Sequence, residues 1–384
     1  MKIFVLGLPH TQTLDPATSE HTSCAFTSQI WYLCRMMHRL GHEVIHLGTE
    51  GSTPECTEHV SVSTSTDYQI LYGKRKSTEP YDIRCDGPMQ KYMDLYVSRI
   101  QLAVAERTTK PWDAIVCNTF GAGAQQRAGE ELQRSSCPPF VVESGVGYNH
   151  PWATYRVYPS YAWMHFHHGL DKQHAGDKWY HAVIQHVFDP ALFGPIEEKK
   201  EDYDLYLGRL NDDKGVQIAI DAARSAGHRI KIVGQGNPSR FLGPKVQYLC
   251  PVGATERNEL MRHARVLFCP TRYVEPFGGV AVEASLAGCP VISTDWGGFT
   301  ETVVHGVTGY RCRTFEQFVW AAKNIDAIDP HTCRKWAESN FSPERIAPMY
   351  EEYFQSILRL NTPEGWNIPN VERTQLDWLR REYP

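Results

Sequence analysis

The chain places short apolar runs and amphipathic segments in alternation, and this order constrains its fold more than any other feature. A predicted strand at 2–6 leads to a helix near 26–40, which Gly41 ends before the next strand at 43–47. A strand, a helix and a second strand in this order form a βαβ unit, the building block of parallel sheets. We therefore predict an α/β fold.

The same alternation continues along both halves of the chain. The first half adds an irregular segment at 69–82, a helix at 88–106 and strands at 113–118 and 140–143. In the second half, strands and helices alternate at 204–208, 214–226, 229–233, 246–249, 255–263 and 265–269. The charged run at 196–201 is a candidate linker. We predict two Rossmann-like domains, 1–195 and 196–359, with 360–384 packing back on the first as a helix, and a ligand cleft between them.

The composition carries no strong charge signature. Of 384 residues, 42% are hydrophobic and 22% charged, and the net charge of −5 gives no overall footprint for nucleic acid or an anionic membrane. We find no signal peptide and no run of about 20 apolar residues, which predicts a cytoplasmic protein. The eleven cysteines include no Cys-x-x-Cys pair, and Cys117, Cys269 and Cys289 lie in apolar runs. Reduced, buried thiols are expected rather than disulfides or zinc.

The segment from 275 to 301 predicts a binding site. Glu275 and Glu283 flank a Pro-Phe-Gly-Gly turn that opens a short helix, which stops at Gly288. Gly297-Gly298 begins a second loop-to-helix junction, with Glu301 near its start. Two helix N-termini facing one crevice suit a phosphate, whereas the carboxylates suit the hydroxyls of a ribose or sugar. The combination indicates a nucleotide-sugar site.

Two cations precede this segment, between a predicted strand and a predicted helix. Arg209 and Lys214 could project over the strand end and offset the charge of a diphosphate. Lys214 taken alone would be a solvated first-turn residue, and its spacing from Arg209 favours the functional interpretation. Gly234-Gln-Gly236 lacks the full dinucleotide fingerprint, and a tight turn explains it equally well.

The first half offers weaker site candidates. Glu143 ends a predicted strand and precedes Gly145 and Gly147, which fits an acceptor site or a structured turn. His10 lies in a polar loop after the first strand, where contact with a sugar or phosphate and simple solvation are both open. The histidines at 165–168 lack a matching ligand pattern, so hydrogen-bonded or surface histidines are favoured over metal.

Taken together, the second-half motifs resemble the C-terminal donor domain of retaining GT-B glycosyltransferases of the glycogen-synthase and sucrose-synthase type, the glycosyl transferases group 1. The resemblance covers about 182–358 and rests on Arg209…Lys214, Glu275/Glu283, Gly297-Gly298…Glu301, the run 184–193 and the run 341–350. It implies a GT-B fold, with two Rossmann-like domains whose parallel sheets face an interdomain cleft. The domain 1–195 would bind the acceptor and 196–359 the donor.

The resemblance also implies roles for individual residues. Arg209 and Lys214 would neutralise the diphosphate, Glu275 would hold hydroxyls of the donor sugar, and Glu283 would bind the ribose. The backbone of Phe277, Gly278, Gly279 and Val280 would contact the phosphates and sugar, and Val252 and Gly253 would lie against the base. No metal or other cofactor is needed beyond the nucleotide diphosphate sugar, most readily a UDP- or GDP-sugar.

The first half departs from the family pattern. Pro9-His10 replaces a glycine-rich loop, Glu143 stands where many members have His or Asp, and His186 replaces an Asn. Glu143 or His10 is expected to orient the acceptor, a glycan or small molecule. This half also resembles glycosyltransferases of bacteriophage genomes, for which the acceptor would be a hydroxymethylated DNA base, the setting the host cytoplasm, and the basic run 74–76 a source of phosphate contacts.

We therefore predict a retaining, metal-independent hexosyl- or pentosyltransferase. A GT-B epimerase or phosphorylase and a non-catalytic sugar-nucleotide binding protein remain alternatives. Dependence on free phosphate, epimerisation without acceptor, or binding without turnover would distinguish them. The sequence leaves the base, the sugar, the acceptor and the oligomeric state open.

Overall fold

The computed structural model describes residues 1–17, 25–72, 87–119, 123–171 and 180–362. These residues form two compact units, each with its own parallel sheet. The described residues of 1–158, 180–184 and 346–362 make up the first unit, and those of 159–171 and 185–345 make up the second. The predicted α/β class is therefore confirmed.

In the first unit, the described strands form one sheet in the order β3-β2-β1-β4-β5-β6-β7, and neighbouring strands are parallel throughout. The strands are β1 (Lys2–Leu6), β2 (Glu43–Thr49), β3 (Glu58–Ser63), β4 (Ala114–Asn118), β5 (Phe140–Glu143), β6 (Tyr155–Tyr158) and β7 (Ala182–Val183). The described helices lying wholly in this unit are α1 (Ala25–Arg39), α2 (Ser65–Tyr72), α3 (Gly87–Ala105) and α4 (Ala124–Gln133). Every residue of β4 is buried, as expected for a central strand of a parallel sheet.

Helix α1 shows why the sequence folds this way. Ile30, Leu33 and Met37 recur at helical spacing and are buried, so one face of the helix covers the sheet. Full burial of each such side chain stabilises the fold by about 1.5–3 kcal/mol. Gly41 adopts φ 83° just after the helix, and its N–H donates to the carbonyl of His38. This left-handed residue ends the helix and turns the chain into β2.

The second unit repeats the plan. Its described strands are in the order β10-β9-β8-β11-β12-β13, again parallel throughout. They are β8 (Asp204–Leu207), β9 (Ile230–Val233), β10 (Val246–Leu249), β11 (Leu267–Cys269), β12 (Val291–Thr294) and β13 (Gly309–Cys312). The helices are α5 (Tyr161–Leu170), α6 (Val216–Ala226), α7 (Ala254–His263), α8 (Gly279–Leu286), α9 (Phe299–Thr302), α10 (Phe315–Lys323), α11 (Pro330–Phe341) and the start of α12 (Pro343–Leu358).

The units differ from the predicted domain bounds. The segment 185–195 belongs to the second unit because its side chains join that core: Phe188 stacks on Phe277, and Phe193 is buried. The charged run 196–201, predicted as a linker, also lies within this unit, where the N–H of Glu201 donates to the carbonyl of His263. Its charges are exposed because it crosses the surface of a packed unit.

The end of α12 packs in the first unit. The hydroxyl of Tyr353 donates to the carbonyl of Tyr180 at 2.9 Å, and Glu351 pairs with His42 at 2.9 Å. The predicted second domain ends at 359 and so includes the whole of α12. The residues that bind the end of this helix lie far away in sequence, and no local pattern indicates the contact. The predicted helix at 360–384 falls largely outside the described residues, as does the basic run 74–76.

Other predictions have mixed outcomes. The segment 69–82 was predicted to be irregular, but residues up to Tyr72 belong to α2, and 73–82 lie outside the described residues. Cys117, Cys269 and Cys289 are buried, unpaired thiols as predicted. Within the described parts of the chain, no helix is long and apolar enough to cross a membrane.

Candidate active site

The strand order of the second sheet fixes where a crevice opens between its loops. The chain proceeds outward from β8 to β9 and β10, and then returns to place β11 on the other side of β8. The loops that follow β8 and β11 therefore leave the carboxyl edge of the sheet in opposite directions. The crevice between them is the switch point of the sheet, where ligands of such sheets usually bind. Arg209 and Lys214 follow β8, and Glu275 follows β11. The structure thus brings the predicted cations and the first predicted carboxylate to one switch point.

Lys214, Glu275 and Tyr273 form a hydrogen-bonded cluster at this point. The ammonium of Lys214 lies 2.6 Å from Oε2 of Glu275 and 4.9 Å from the centre of the Tyr273 ring. The Tyr273 hydroxyl donates to the same Oε2 at 2.9 Å. Burial disfavours the charge of Lys214, but Glu275 and Tyr273 outweigh burial and raise the pKa of Lys214. Lys214 is therefore a fixed cation rather than a solvated side chain.

Arg209 stands beside this cluster with an exposed side chain. Its carbonyl accepts from the Tyr206 hydroxyl at 2.7 Å, which fixes the backbone of the loop. No carboxylate of the described residues pairs with its guanidinium. The two predicted phosphate-binding residues therefore differ: Lys214 is already engaged, whereas Arg209 keeps its hydrogen-bonding fork for a ligand.

Two glycines allow the loops to meet at the backbone. Gly215 precedes α6 with φ 70°, and a Cβ there would overlap the carbonyl oxygen of Pro270, in the loop after β11. Gly297 has φ 61°, and a Cβ there would lie 2.6 Å from the backbone nitrogen of Glu275. The N–H of Gly298 donates to the Glu275 carbonyl at 2.7 Å. These contacts hold the Glu275 loop from both sides.

Helix α8 begins directly after the Glu275 loop. Gly278 precedes the helix, and Gly279 and Val280 are its first residues, whose N–H groups have no acceptor within the helix. The Phe277 side chain is buried against Phe188 and Phe341, so its backbone is what the loop presents. This arrangement leaves backbone donors for an anion.

The second predicted carboxylate is held by an unpredicted partner. Glu283, on α8, accepts from the Arg257 guanidinium of α7 at 2.8 Å. Burial raises the pKa of Glu283, and Arg257 opposes this shift. Gly253 caps α7 and is exposed, with open space where a Cβ would point, and Val252 packs partly against the core. The structure therefore brings Glu283, Val252 and Gly253 to the α7–α8 side of the unit.

Glu301 corrects one part of the sequence interpretation. Its helix, α9, spans only four residues, too short to act as a second anion site. The Glu301 carboxylate accepts from the N–H groups of Tyr161 and Ala162 at 3.0 and 2.9 Å. Both carboxylate oxygens of Glu301 are therefore engaged at the N-terminus of α5. Of the two helix N-termini predicted to bind an anion, only that of α8 remains a candidate.

Glu143, the first-unit candidate, has both oxygens occupied. The hydroxyl of Tyr148 donates to Oε1, and the N–H groups of Trp152 and Ala153 donate to Oε2, each at 2.8 Å. Burial raises the pKa of this carboxyl despite these bonds. The structure thus places Glu143 as the anchor of the turn that follows β5. Its role toward an acceptor stays a prediction.

Among the described residues, His10 and the histidines of the run 165–168 belong to no group of potential metal ligands. His10 is partly buried in the loop after β1, and burial lowers its pKa to about 4, so it is uncharged at neutral pH. Searching the described residues finds no group of three potential metal ligands, and the run at 165–168 lies on α5. Gly234-Gln-Gly236 forms the turn after β9, where the N–H of Leu210 donates to the Gln235 carbonyl at 2.8 Å.

A family model matches most of the second unit. Residues 191–340 match the family model described as glycosyl transferases group 1. This stretch of the second unit is therefore similar to the glycosyl transferases group 1. The match lies inside the predicted stretch 182–358 and includes the switch-point loops and α7–α8, so the predicted resemblance to glycosyl transferases group 1 is confirmed.

Curated proteins are similar to part of the chain. Glycogen synthase of Mycobacterium tuberculosis is 34% identical over 195 residues, 45% of this chain and 47% of that protein. D-inositol 3-phosphate glycosyltransferase of Mycobacterium bovis is 32% identical over 154 residues, 36% of this chain and 30% of that protein. The chain spans about half or less of the length of these relatives.

Solved glycosyltransferase structures extend the likeness to nearly the whole chain. Sucrose-phosphate synthase of Thermosynechococcus elongatus has a TM-score of 0.68 at 18% identity, covering 94% of this chain and 100% of that one. HepE of Anabaena, in complex with UDP and glucose, has a TM-score of 0.63 at 17% identity, covering 93% and 100%. At these identities the likeness shows the fold, and the predicted GT-B class is confirmed.

The sequence interpretation missed two residues of the site. Tyr273 lies two residues before Glu275, and Arg257 lies four residues after Gly253. Neither has a motif of its own, and only the packing of the loops brings them to the carboxylates. The sequence could have indicated them only through their closeness to Glu275 and Gly253, which were predicted to belong to the site.

Proposed function

We propose that this chain transfers a sugar from a nucleotide diphosphate sugar to a hydroxyl acceptor, with retention at the anomeric carbon and without a metal ion. The observation that carries this proposal is the cluster of Lys214, Glu275 and exposed Arg209 at the switch point of a unit similar to the glycosyl transferases group 1. The relatives named glycosyltransferases and the UDP complex of HepE support a nucleotide-sugar donor, most readily a UDP- or GDP-sugar.

The electrostatics of the cluster suit departure of a diphosphate. When the bond between the anomeric carbon and the phosphate oxygen breaks, negative charge builds on that oxygen. Arg209, Lys214 and the free N–H groups of Gly279 and Val280 would stabilise it, a contribution of several kcal/mol when donors are fixed in advance. These groups make a metal unnecessary in our scheme.

Retention follows if the acceptor attacks the face from which the diphosphate leaves. The acceptor oxygen bonds to the anomeric carbon, and its proton passes to the departing phosphate oxygen. Glu275 would fix the donor sugar through its second oxygen, since Oε2 is held by Lys214 and Tyr273. An acceptor glycan or small molecule fits this scheme, and a hydroxymethylated DNA base is one further acceptor to test.

The direct test incubates the protein with UDP-, GDP-, ADP- and dTDP-sugars, hexosyl and pentosyl, and with each acceptor class. Release of the nucleoside diphosphate should require an acceptor and should survive EDTA. NMR of the product should show the anomeric configuration of the donor. An inverted product would contradict retention, and a strict need for a divalent ion would contradict the metal-free scheme.

Variants of the two cations test the assignment of the site. Arg209→Ala and Lys214→Ala should each lower turnover on the order of 10²-fold, because each removes charge that stabilises the leaving diphosphate. Lys231→Ala is the matched control: Lys231 also lies over a tyrosine ring and near a glutamate, but at the opposite edge of the sheet. Wild-type turnover in both site variants would refute their role.

A further inference from the structure

The loop that follows β12 is tied to the Glu275 loop, and it carries a tryptophan. The indole N–H of Trp296 donates to the Tyr273 carbonyl at 3.1 Å. Two residues further along each loop, the N–H of Gly298 donates to the Glu275 carbonyl at 2.7 Å. These two bonds hold the indole in one orientation, directly beside the loop that carries Glu275.

The ring of Trp296 offers apolar surface at this place. Its side chain is partly exposed, and no aromatic ring of the described residues packs against it. Its hydrogen bond uses the N–H at the edge of the ring and not a ring face. Tyr273, in the neighbouring loop, is 36% exposed. Aromatic side chains held in a fixed orientation bind ligands well, because they bury a large area and lose little conformational freedom.

The order of the strands places Trp296 beyond the donor sugar. The predicted contacts of the base follow β10, those of the diphosphate follow β8, and Glu275, the predicted contact of the sugar, follows β11. In the sheet order β10-β9-β8-β11-β12-β13 these contacts run in one direction along the carboxyl edge, and β12 comes next. The loop of Trp296 therefore follows the donor sugar on the side away from the diphosphate.

We propose that Trp296 is a specificity-determining residue that stacks against a pyranose ring of a saccharide acceptor. This inference rests on the proposed function, because it takes the position of the donor sugar from it. A pyranose carries hydroxyls around its rim and C–H groups on its faces. An indole face can cover the C–H groups while the hydroxyls stay in water. A saccharide held there presents a rim hydroxyl toward the anomeric carbon of the donor.

The charges near Trp296 favour a saccharide over nucleic acid. Asp295, the preceding residue, pairs with Arg311 at 3.5 Å and with Arg313 at 2.8 Å. Both guanidinium groups are therefore engaged by a carboxylate, whereas nucleic-acid binding depends on cations that pair with several phosphates. Arg272 is exposed in the loop after β11, but one phosphate contact supplies only a small part of such binding.

The test measures binding of simple pyranosides by saturation-transfer difference NMR on the full-length protein. UDP or GDP is added in excess, whichever raises the unfolding temperature. The probes are the methyl α- and β-pyranosides of glucose, galactose, mannose and N-acetylglucosamine. At least one of them should receive saturation mainly on the C–H protons of one ring face. A DNA duplex that contains 5-hydroxymethylcytosine is tested separately by fluorescence anisotropy.

Two variants distinguish stacking from the hydrogen bond. Trp296→Leu and Trp296→Phe both remove the N–H that donates to Tyr273, but only phenylalanine keeps a flat aromatic face. The dissociation constant of the pyranoside should rise about tenfold in Trp296→Leu and about threefold at most in Trp296→Phe. With an acceptor that supports turnover, Trp296→Leu should raise the KM of the acceptor about tenfold and leave the KM of the donor within about twofold.

Trp320→Leu is the matched control. Trp320 lies on α10 and is 54% exposed, so its replacement should leave the dissociation constant of the pyranoside within about twofold. Thermal unfolding reports the fold of each variant, and Trp296→Met replaces Trp296→Leu if the latter does not fold.

The outcomes are distinguishable. Absence of pyranoside binding by the wild type, or unchanged binding in Trp296→Leu, would overturn the role of Trp296. Equal losses in Trp296→Leu and Trp296→Phe would show that the residue only supports the Tyr273 loop through its hydrogen bond. Binding of the DNA duplex in preference to every pyranoside would overturn the saccharide acceptor. Failure of both UDP and GDP to raise the unfolding temperature would count against the proposed function itself.

Discussion

In the second unit, each of the two predicted site carboxylates lies beside a cation. Glu275 is bound by Lys214 and Tyr273, and Glu283 by Arg257. Each pair leaves one carboxylate oxygen without a partner among the described residues, which gives each acid an orientation and a remaining acceptor. The sequence predicted the acids and Lys214, but the residues that orient the acids are visible only in three dimensions.

Tyr273 offers a test of this orientation. Tyr273→Phe keeps the ring under Lys214 but removes the hydroxyl that donates to Glu275. We expect kcat/KM for the donor to fall about tenfold, because a hydrogen bond to a charged group is lost and Glu275 gains freedom. Steady-state kinetics would measure this. The control is Tyr203→Phe, whose hydroxyl donates to the Leu260 carbonyl at the other end of the sheet and should leave kcat/KM unchanged.

The burial of His46 leads us to predict that the stability of the first unit depends on pH. It is fully buried, with one ring nitrogen 2.8 Å from His59 and the other 3.1 Å from the Thr13 hydroxyl. Burial, with a smaller effect of His59, lowers the pKa of His46 from 6.5 to about 3. The native state keeps the ring neutral while the unfolded chain takes up a proton below pH 6.5. Stability from this group is complete above pH 6.5 and is lost as the pH falls toward 3.

Urea denaturation at pH 7 and pH 5 would measure this effect. The free energy of unfolding should drop by about 2 kcal/mol more in the wild type than in His46→Asn, since about 1.4 kcal/mol is at stake per pH unit. The exposed His331→Asn should not change the difference between the two pH values. An equal drop in wild type and His46→Asn would contradict the assignment.

At the scale of elements, the site depends on how closely the loop after β8 passes the loop after β11. The two glycines that flank α6 allow the cost of a left-handed backbone to be distinguished from the cost of a steric overlap. Gly215 and Gly227 both have left-handed backbones, at φ 70° and 87°, but a Cβ overlaps Pro270 only at Gly215 and meets nothing at Gly227.

These two positions give a paired prediction. Gly227→Ala should cost about 1 kcal/mol, the ordinary penalty of a left-handed alanine. Gly215→Ala should cost several kcal/mol and weaken nucleotide binding, because the loop carrying Lys214 must move away from Pro270. Thermal unfolding and calorimetry of both variants would show this. Equal costs would mean that the close approach is unimportant.

At the scale of the whole molecule, ligand binding should be visible as stability. A ligand that binds only the native state at 100 times its dissociation constant stabilises the protein by about 2.7 kcal/mol. A thermal-shift screen should therefore show a higher unfolding temperature with one class of nucleoside diphosphate. Lys214→Ala should reduce that shift, and Lys231→Ala should not. Absence of a shift with every diphosphate would count against a nucleotide site.

The sequence by itself determined the α/β class and the resemblance of the second unit to glycosyl transferases group 1. It also predicted Arg209, Lys214 and Glu275, which the structure brings to one switch point. These follow from local patterns: the alternation of strands and helices, and charged residues at fixed spacing around glycine turns. The strands 140–143 and 246–249 were predicted with their observed bounds. Short-range periodicity carries such information because each strand and helix buries one face or both faces locally.

Only the tertiary structure decided which chain segments join which unit and which way the side chains point. It assigned 185–195 to the second unit and the end of α12 to the first, turned Glu301 toward α5, and enclosed Glu143 in its own turn. It also brought Arg257 and Tyr273 to the carboxylates. These outcomes depend on contacts between residues distant in sequence, for which a local pattern contains no signal.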